Sequence, residues 1–214
     1  MTALDRITLY YSPQSRATGS RILLEELGAP YDLHILNMKA GEQREPAYLA
    51  INPLGKAPAI RRGDALVTEQ VAIYIYLADL FPEAGLAPAF DDPRRGPYLR
   101  WIAYYGSSFE PALIDTFLKR DPAPPEQLSY GDYDTMLSTL EAQLAAGPYL
   151  FGEQITAADI LWGVALHWTM QFGLVPQSDV FVRYCERITS RPTFRRISAD
   201  DDAMAAQHAA AAGG

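Results

Sequence analysis

Every segment that reads as a β-strand in this chain lies before residue 70, and beyond residue 94 only helical periodicity remains. A chain divided in this way folds as a small α/β unit followed by an all-helical one. Residues 7–11, "ITLYY", are β-branched and aromatic and stop at Ser12-Pro13. In "ATGSRILLEELG", Leu23, Leu24 and Leu27 recur at helical spacing and Gly28 stands where a helix stops. "YDLHILN", residues 31–37, alternates well enough to be the next strand, so the three elements form a βαβ unit with parallel strands. "EPAYLAIN" predicts a short second helix cut off by Pro53, and "APAIRR" with "ALVT" around Gly63-Asp64 predicts a hairpin. "TEQVAIYIYLADLFP" is apolar nearly all round, as expected of a helix buried against a sheet, and ordinary capping, with Thr68 as N-cap and Glu69 in the first turn, is one reading of its start.

"PEAGLAPAFDDP" is rich in proline, glycine and acid and reads as a linker. The expected organisation is an α/β domain over 1–82, a linker over 83–93, an all-helical domain over 94–200 and a tail over 201–214 without fixed structure. In the helical half, Tyr133, Leu137, Leu140 and Leu144 share one face, and further helices are predicted near 156–171 and 179–190. Thr156 as N-cap with Asp159 at the third helical position makes a capping-box variant, a folding device rather than a site.

Composition narrows the function. About half of the 214 residues are apolar, enough for real cores, and the formal net charge of −8 argues against a nucleic-acid partner. The single cysteine, Cys185, cannot form an internal disulfide, and a small packed thiol is the expected role. No stretch approaches the ~18 apolar residues of a membrane span. The three histidines are scattered with no metal-ligand spacing, so no metal is expected. A soluble, cytoplasmic protein is the resulting expectation.

"NPLGKAPAI", residues 52–60, packs two prolines and a glycine ahead of a strand. From chemistry alone, Ala57-Pro58 is open between a rigid trans loop and a cis bond that turns the backbone of the preceding residue outward, toward an extended ligand. Taken in order, "LYYSP…RILLEELGAPY", "NPLGKAPAI" and "TEQVAIYIYLADLFP" resemble the N-terminal, thioredoxin-like domain of the glutathione transferases. "LFGEQITAADI" resembles the capping motif of that family and "ERITSRPTFRRI" its C-terminal helix ending, so the resemblance reaches to about residue 197.

The resemblance implies glutathione as co-substrate, no further cofactor, and a small hydrophobic electrophile as second substrate. It implies that Pro58 is cis and that the backbone of Ala57 pairs with the cysteine of glutathione. Lys56 would meet the glycine carboxylate, aided by Gln43. Glu69 and Gln70, where the third helix begins, would hold the γ-glutamyl end: Glu69 the ammonium, Gln70 and the helix N-terminus the carboxylate. The second residue of that pair is usually serine in the family, so Gln70 departs from its commonest form.

Lowering a thiol pKa from ~8.5 to ~6.5 takes about 2.7 kcal/mol, within reach of one hydroxyl donor and a helix N-terminus. "YYSPQSRATGS" offers Tyr11, Ser12, Ser15, Arg16, Thr18 and Ser20. Ser15 resembles the catalytic serine of the theta-like branch, and the cysteine that bacterial beta-like members carry in this neighbourhood is absent. A purely capping Ser15 is the alternative. Tyr11, Tyr104, Tyr105 and Phe109, with Trp101, are candidates for lining the hydrophobic-substrate pocket, against the alternative that they are core. A homodimer is also implied, to be checked by sedimentation. Isomerisation, dehalogenation and peroxide reduction use the same thiolate, and a non-catalytic binding or scaffolding module with this fold is the rival reading.

Overall fold

Four strands, β1 (Ile7–Tyr11), β2 (Tyr31–Ile35), β3 (Ala59–Arg62) and β4 (Ala65–Thr68), make one sheet in the order β2-β1-β3-β4. The computed structural model describes residues 6–121 and 123–212. β1 runs parallel to β2 with Ile7 opposite Tyr31, as a βαβ unit requires, and antiparallel to β3 with Leu9 opposite Ile60. Gly63, at φ +57, makes the tight turn of the β3–β4 hairpin.

Alternation along β1 sorts its side chains to two faces. Ile7, Leu9 and Tyr11 are fully buried. Tyr10 lies on the opposite face, in a cluster with Leu36, Tyr48 and Ala59. α1 (Ala17–Glu26) ends before Gly28, which takes φ +64, and packs against α3 (Gln70–Leu80). α2 (Pro46–Leu49) is a single turn that contributes Tyr48. α3 buries Ile73, Tyr74, Leu77 and Ala78 and leaves Ile75 and Tyr76 half-buried. The apolar run therefore covers more of the helix than this unit uses. Its N-cap is Glu69, not Thr68: Thr68 is held in β4 opposite Ala59, so the turn falls one residue later.

The molecule divides into two units, one of residues up to 84 together with those from 191 onward, the other of residues 85–190. α9 (Pro192–Ala212) thus belongs to the α/β unit. It packs on α1, with Arg191 paired to Glu26 and Arg196 to Glu25 at 2.7 Å. Two sequence expectations are corrected here. The helical domain does not extend to residue 200, and the segment from 201 is helix as far as Ala212. Alanine is the strongest helix former, and a helix already anchored on α1 propagates into an alanine-rich stretch. Gly213 and Gly214, the rest of that tail, lie outside the described residues.

The second unit holds α4 (Arg95–Tyr104), α5 (Glu110–Phe117), α6 (Tyr133–Ala145), α7 (Ala157–Gln171) and α8 (Asp179–Thr189). A π-helical turn, Tyr105–Phe109, joins α4 to α5. Trp162 sits at the centre, fully buried, and its indole N–H donates to the Trp101 carbonyl at 3.0 Å. α7 and α8 cross at Gly163, where a Cβ would stand 2.4 Å from Ile188 Cγ1. The predicted capping box is present at the start of α7.

Candidate functional site

The sheet register gathers the segments singled out in the sequence. Tyr10 pairs with Ala59, and Ala59 with Thr68. The loop leaving β1, the loop entering β3 and the turn leaving β4 therefore emerge at one end of the sheet. These are residues 12–16, 55–58 and 69–70 of the sequence. Gln70 links two of them, its side-chain amide donating to the Arg16 carbonyl at 3.2 Å.

Ala57-Pro58 is cis. Among the described residues neither backbone polar group of Ala57 has a hydrogen-bond partner. An unpaired donor and acceptor side by side are what an extended ligand needs. The loop beneath is tightly pinned. The Lys56 carbonyl accepts from the Tyr48 hydroxyl at 2.6 Å and from the Asn52 amide at 2.8 Å, and Asn52 is itself buried. Gly55 takes φ +59, and a Cβ there would lie 2.7 Å from the Gln43 carbonyl oxygen. Only glycine satisfies both constraints. That approach brings Gln43 beside the loop, with its side-chain oxygen buried and without a partner among the described residues. The Lys56 side chain is exposed and makes no ion pair among the described residues.

Glu69 takes φ +65 and ψ +119, a conformation that L residues rarely adopt. Its side chain is exposed, makes no capping bond and has no partner among the described residues. Ordinary first-turn capping is therefore not what Glu69 does here. The charge stands at the start of α3 with no partner among the described residues to meet it.

Ser15 is half-buried. Its hydroxyl donates to the Ser12 carbonyl at 2.7 Å and accepts from the Ala17 N–H at 3.1 Å. The oxygen is thus held at the entrance to α1, which carries no acidic residue in its first turn. A hydroxyl so fixed keeps one freedom: its proton can swing from the Ser12 carbonyl to another acceptor without moving the oxygen.

The aromatic candidates separate. Tyr11 is fully buried in the α/β unit, with the Arg21 guanidinium 5.6 Å above its ring. In the helical unit Phe109 is fully buried and Tyr105 nearly so, their rings 4.9 and 5.7 Å from Trp162. These three are core residues, a correction to their reading as substrate lining. A π-helical turn packed around a central tryptophan leaves Tyr105 and Phe109 no free face, and Tyr11 sits on the same buried face of β1 as Ile7 and Leu9. Trp101 belongs to the same core. Tyr104 keeps partial exposure, with its hydroxyl on the Met136 carbonyl at 3.0 Å. Cys185 is packed under the Gly163 carbonyl, and burial pushes its thiol up to about 12, which makes it inert as a nucleophile. No group of three metal-ligating side chains gathers among the described residues, and no helix there is long and apolar enough to cross a membrane.

Sequence reasoning missed the contacts of α9 with the β1–α1 segment. Asp201, buried, accepts from the Gln14 N–H at 3.1 Å and from the Thr18 hydroxyl at 2.5 Å. Asp202 accepts from the Gln14 amide at 3.1 Å, and Asp200 pairs with Arg21 at 2.7 Å. Three consecutive aspartates in an alanine-rich tail were the available signal.

Residues 6–79 match the family described as "Glutathione S-transferase, N-terminal domain", and residues 126–187 match "Glutathione S-transferase, C-terminal domain". The chain is 28% identical to glutathione S-transferase GST-4.5 of Xanthomonas campestris, across 94% of this chain and 97% of that one. Among solved structures, a glutathione S-transferase of Actinobacillus pleuropneumoniae is 30% identical with a TM-score of 0.75, across 92% and 93% of the two chains. A glutathione transferase homologue from Sulfitobacter, solved with bound glutathione, is 27% identical with a TM-score of 0.74, across 94% and 99%.

Proposed function

Because this chain belongs to the glutathione S-transferase family, whose enzymes use glutathione as co-substrate, we propose that it joins the glutathione thiolate to a small hydrophobic electrophile. One observation carries the site assignment. The open backbone of Ala57 and the unpartnered charges of Lys56 and Glu69 stand on loops that the sheet register brings to one end.

Glutathione offers a thiol flanked by a peptide backbone, a glycine carboxylate and an α-amino acid end. In the proposed complex the Ala57 N–H and C=O pair with its cysteine in strand fashion. Lys56 meets the glycine carboxylate, and Gln43 adds its side-chain amide. Glu69 takes the ammonium, while the first N–H groups of α3 and the Gln70 amide take the γ-glutamyl carboxylate. Ser15 turns its proton from the Ser12 carbonyl to the sulfur. That exchanges a neutral hydrogen bond of ~0.5–1.5 kcal/mol for a charged one of ~1.5–3 kcal/mol. The N-terminus of α1 adds ~0.3–1 kcal/mol, so the thiol is held as thiolate near neutral pH.

Retention on immobilised glutathione, followed by a panel of electrophiles that includes an activated aryl halide, tests this reading. Turnover of the halide supports conjugation. Retention without turnover of any electrophile instead identifies a binding module.

Glu69→Gln separates ligand binding from capping. It removes the charge and nearly keeps the shape, so a charged hydrogen bond worth ~1.5–3 kcal/mol goes and glutathione affinity falls about tenfold or more. Folding changes little, because the Glu69 side chain makes no bond among the described residues. Calorimetric titration with a melting curve for each protein measures both. An unchanged affinity would place the γ-glutamyl end elsewhere.

A further inference from the structure

The segment that carries Ser15 is tied to the C-terminal helix as well as to itself. Gln14 takes φ +52, a left-handed conformation that a non-glycine residue seldom adopts. Local bonds in the segment include those of the Ser15 hydroxyl, the Ala17 N–H and the Thr18 N–H. The Gln14 N–H and the Thr18 hydroxyl, one residue before Ser15 and three after it, both donate to a single oxygen of Asp201, on α9. Asp201 is 3% exposed. Burial pushes its carboxyl up to about 6, Asp202 beside it acting in the same direction and the Gln14 N–H against, so at neutral pH it is the ionised acceptor. Asp202 holds the Gln14 side chain and Asp200 holds Arg21 in the middle of α1.

We propose that Asp201 is a positioning residue for the thiol-activating segment Ser12–Thr18, and that the C-terminal helix is thereby part of the active site. This rests on the reading that glutathione is activated on that segment. One carboxylate oxygen clamps the segment on both sides of Ser15. With the clamp in place, the Ser15 oxygen stays at the entrance to α1; without it, Gln14 relaxes toward ordinary backbone angles and the hydroxyl leaves the sulfur. Asp201 touches no substrate atom and acts only through the segment.

The test uses the full-length protein and reads two quantities: the pKa of enzyme-bound glutathione, from thiolate ultraviolet absorbance against pH, and kcat with an activated aryl halide. Asp201→Ala removes the acceptor. The bound thiol pKa is expected to rise by about one unit and kcat at pH 6.5 to fall about tenfold, with glutathione KM changed less than twofold. Asp201→Asn keeps an acceptor oxygen in place and is expected to restore both quantities to within about twofold. If Asp201→Ala does not fold, Thr18→Val removes one arm of the clamp and is expected to shift both quantities in the same direction by a smaller amount. A folded Asp201→Ala with the wild-type thiol pKa and kcat overturns the proposal. So does an Asn variant as impaired as the Ala variant, which would mark a role for the charge rather than for position. Should Asp201→Ala fail to fold, a wild-type Thr18→Val overturns it. Ser15→Ala run alongside keeps the two readings apart. If it is silent while Asp201→Ala shifts the thiol, the serine assignment fails and the clamp stands.

Discussion

Asp159→Ala is expected to cost about 3–5 kcal/mol of stability, a large share of the ~5–15 kcal/mol that holds a typical domain together. The Asp159 carboxylate is fully buried at the start of α7. One oxygen accepts from the Leu150 N–H at 2.7 Å and the Tyr184 hydroxyl at 2.9 Å. The other accepts from the Thr156 N–H at 2.8 Å and the Thr156 hydroxyl at 2.7 Å. Alanine leaves those donors buried without an acceptor, at ~1–3 kcal/mol each before any relief by entering water, and removes half of the capping box. Burial holds the carboxyl above the usual carboxylate range in spite of its donors. Asn does not rescue the site. Each oxygen accepts two bonds, so the amide NH2 faces two donors whichever way it is turned. Urea unfolding of both variants measures this, and a loss below about 1 kcal/mol would show that the donors find other partners.

Ser15→Ala is expected to lower kcat/KM with an activated aryl halide about tenfold at pH 6.5, the loss of the difference, ~1 kcal/mol, between a charged hydrogen bond and the neutral one it replaces. The same loss raises the bound thiol pKa by about one unit. Raising the pH above the shifted pKa restores most of the thiolate, so the deficit should shrink toward pH 9. Glutathione affinity, which the proposed complex assigns to Lys56, Ala57 and Glu69, is expected to stay close to wild type. Stability falls slightly, because Ser15 also receives the Ala17 N–H at 3.1 Å. A purely capping Ser15 gives the opposite pattern: a lower melting temperature and an unaltered rate-against-pH curve.

Much was legible in the sequence because it depends on neighbours in the chain. Two-residue alternation marked β1, Gly28 stopped α1, Gly63-Asp64 made the hairpin and Thr156 with Asp159 opened α7. Each is a local rule about backbone angles or about the polar groups at a helix end. The loops that meet at one end of the sheet were also named from sequence, by resemblance to a family whose order of motifs the chain repeats.

What the sequence alone left open depends on partners far away in the chain. Aromatic residues at helical spacing look the same whether they face a ligand or a core. The position of Trp162 buried Tyr105 and Phe109, more than fifty residues earlier. An alanine-rich tail has little apolar surface, so composition reads it as unstructured. Its order comes instead from ion pairs and buried carboxylates that reach across more than 160 residues, Arg191 to Glu26 and Asp201 to Gln14. Periodicity and composition determined which elements form, because helices and turns are built from adjacent residues. Tertiary packing decided which polar groups meet, because a buried carboxylate needs donors wherever in the chain they lie.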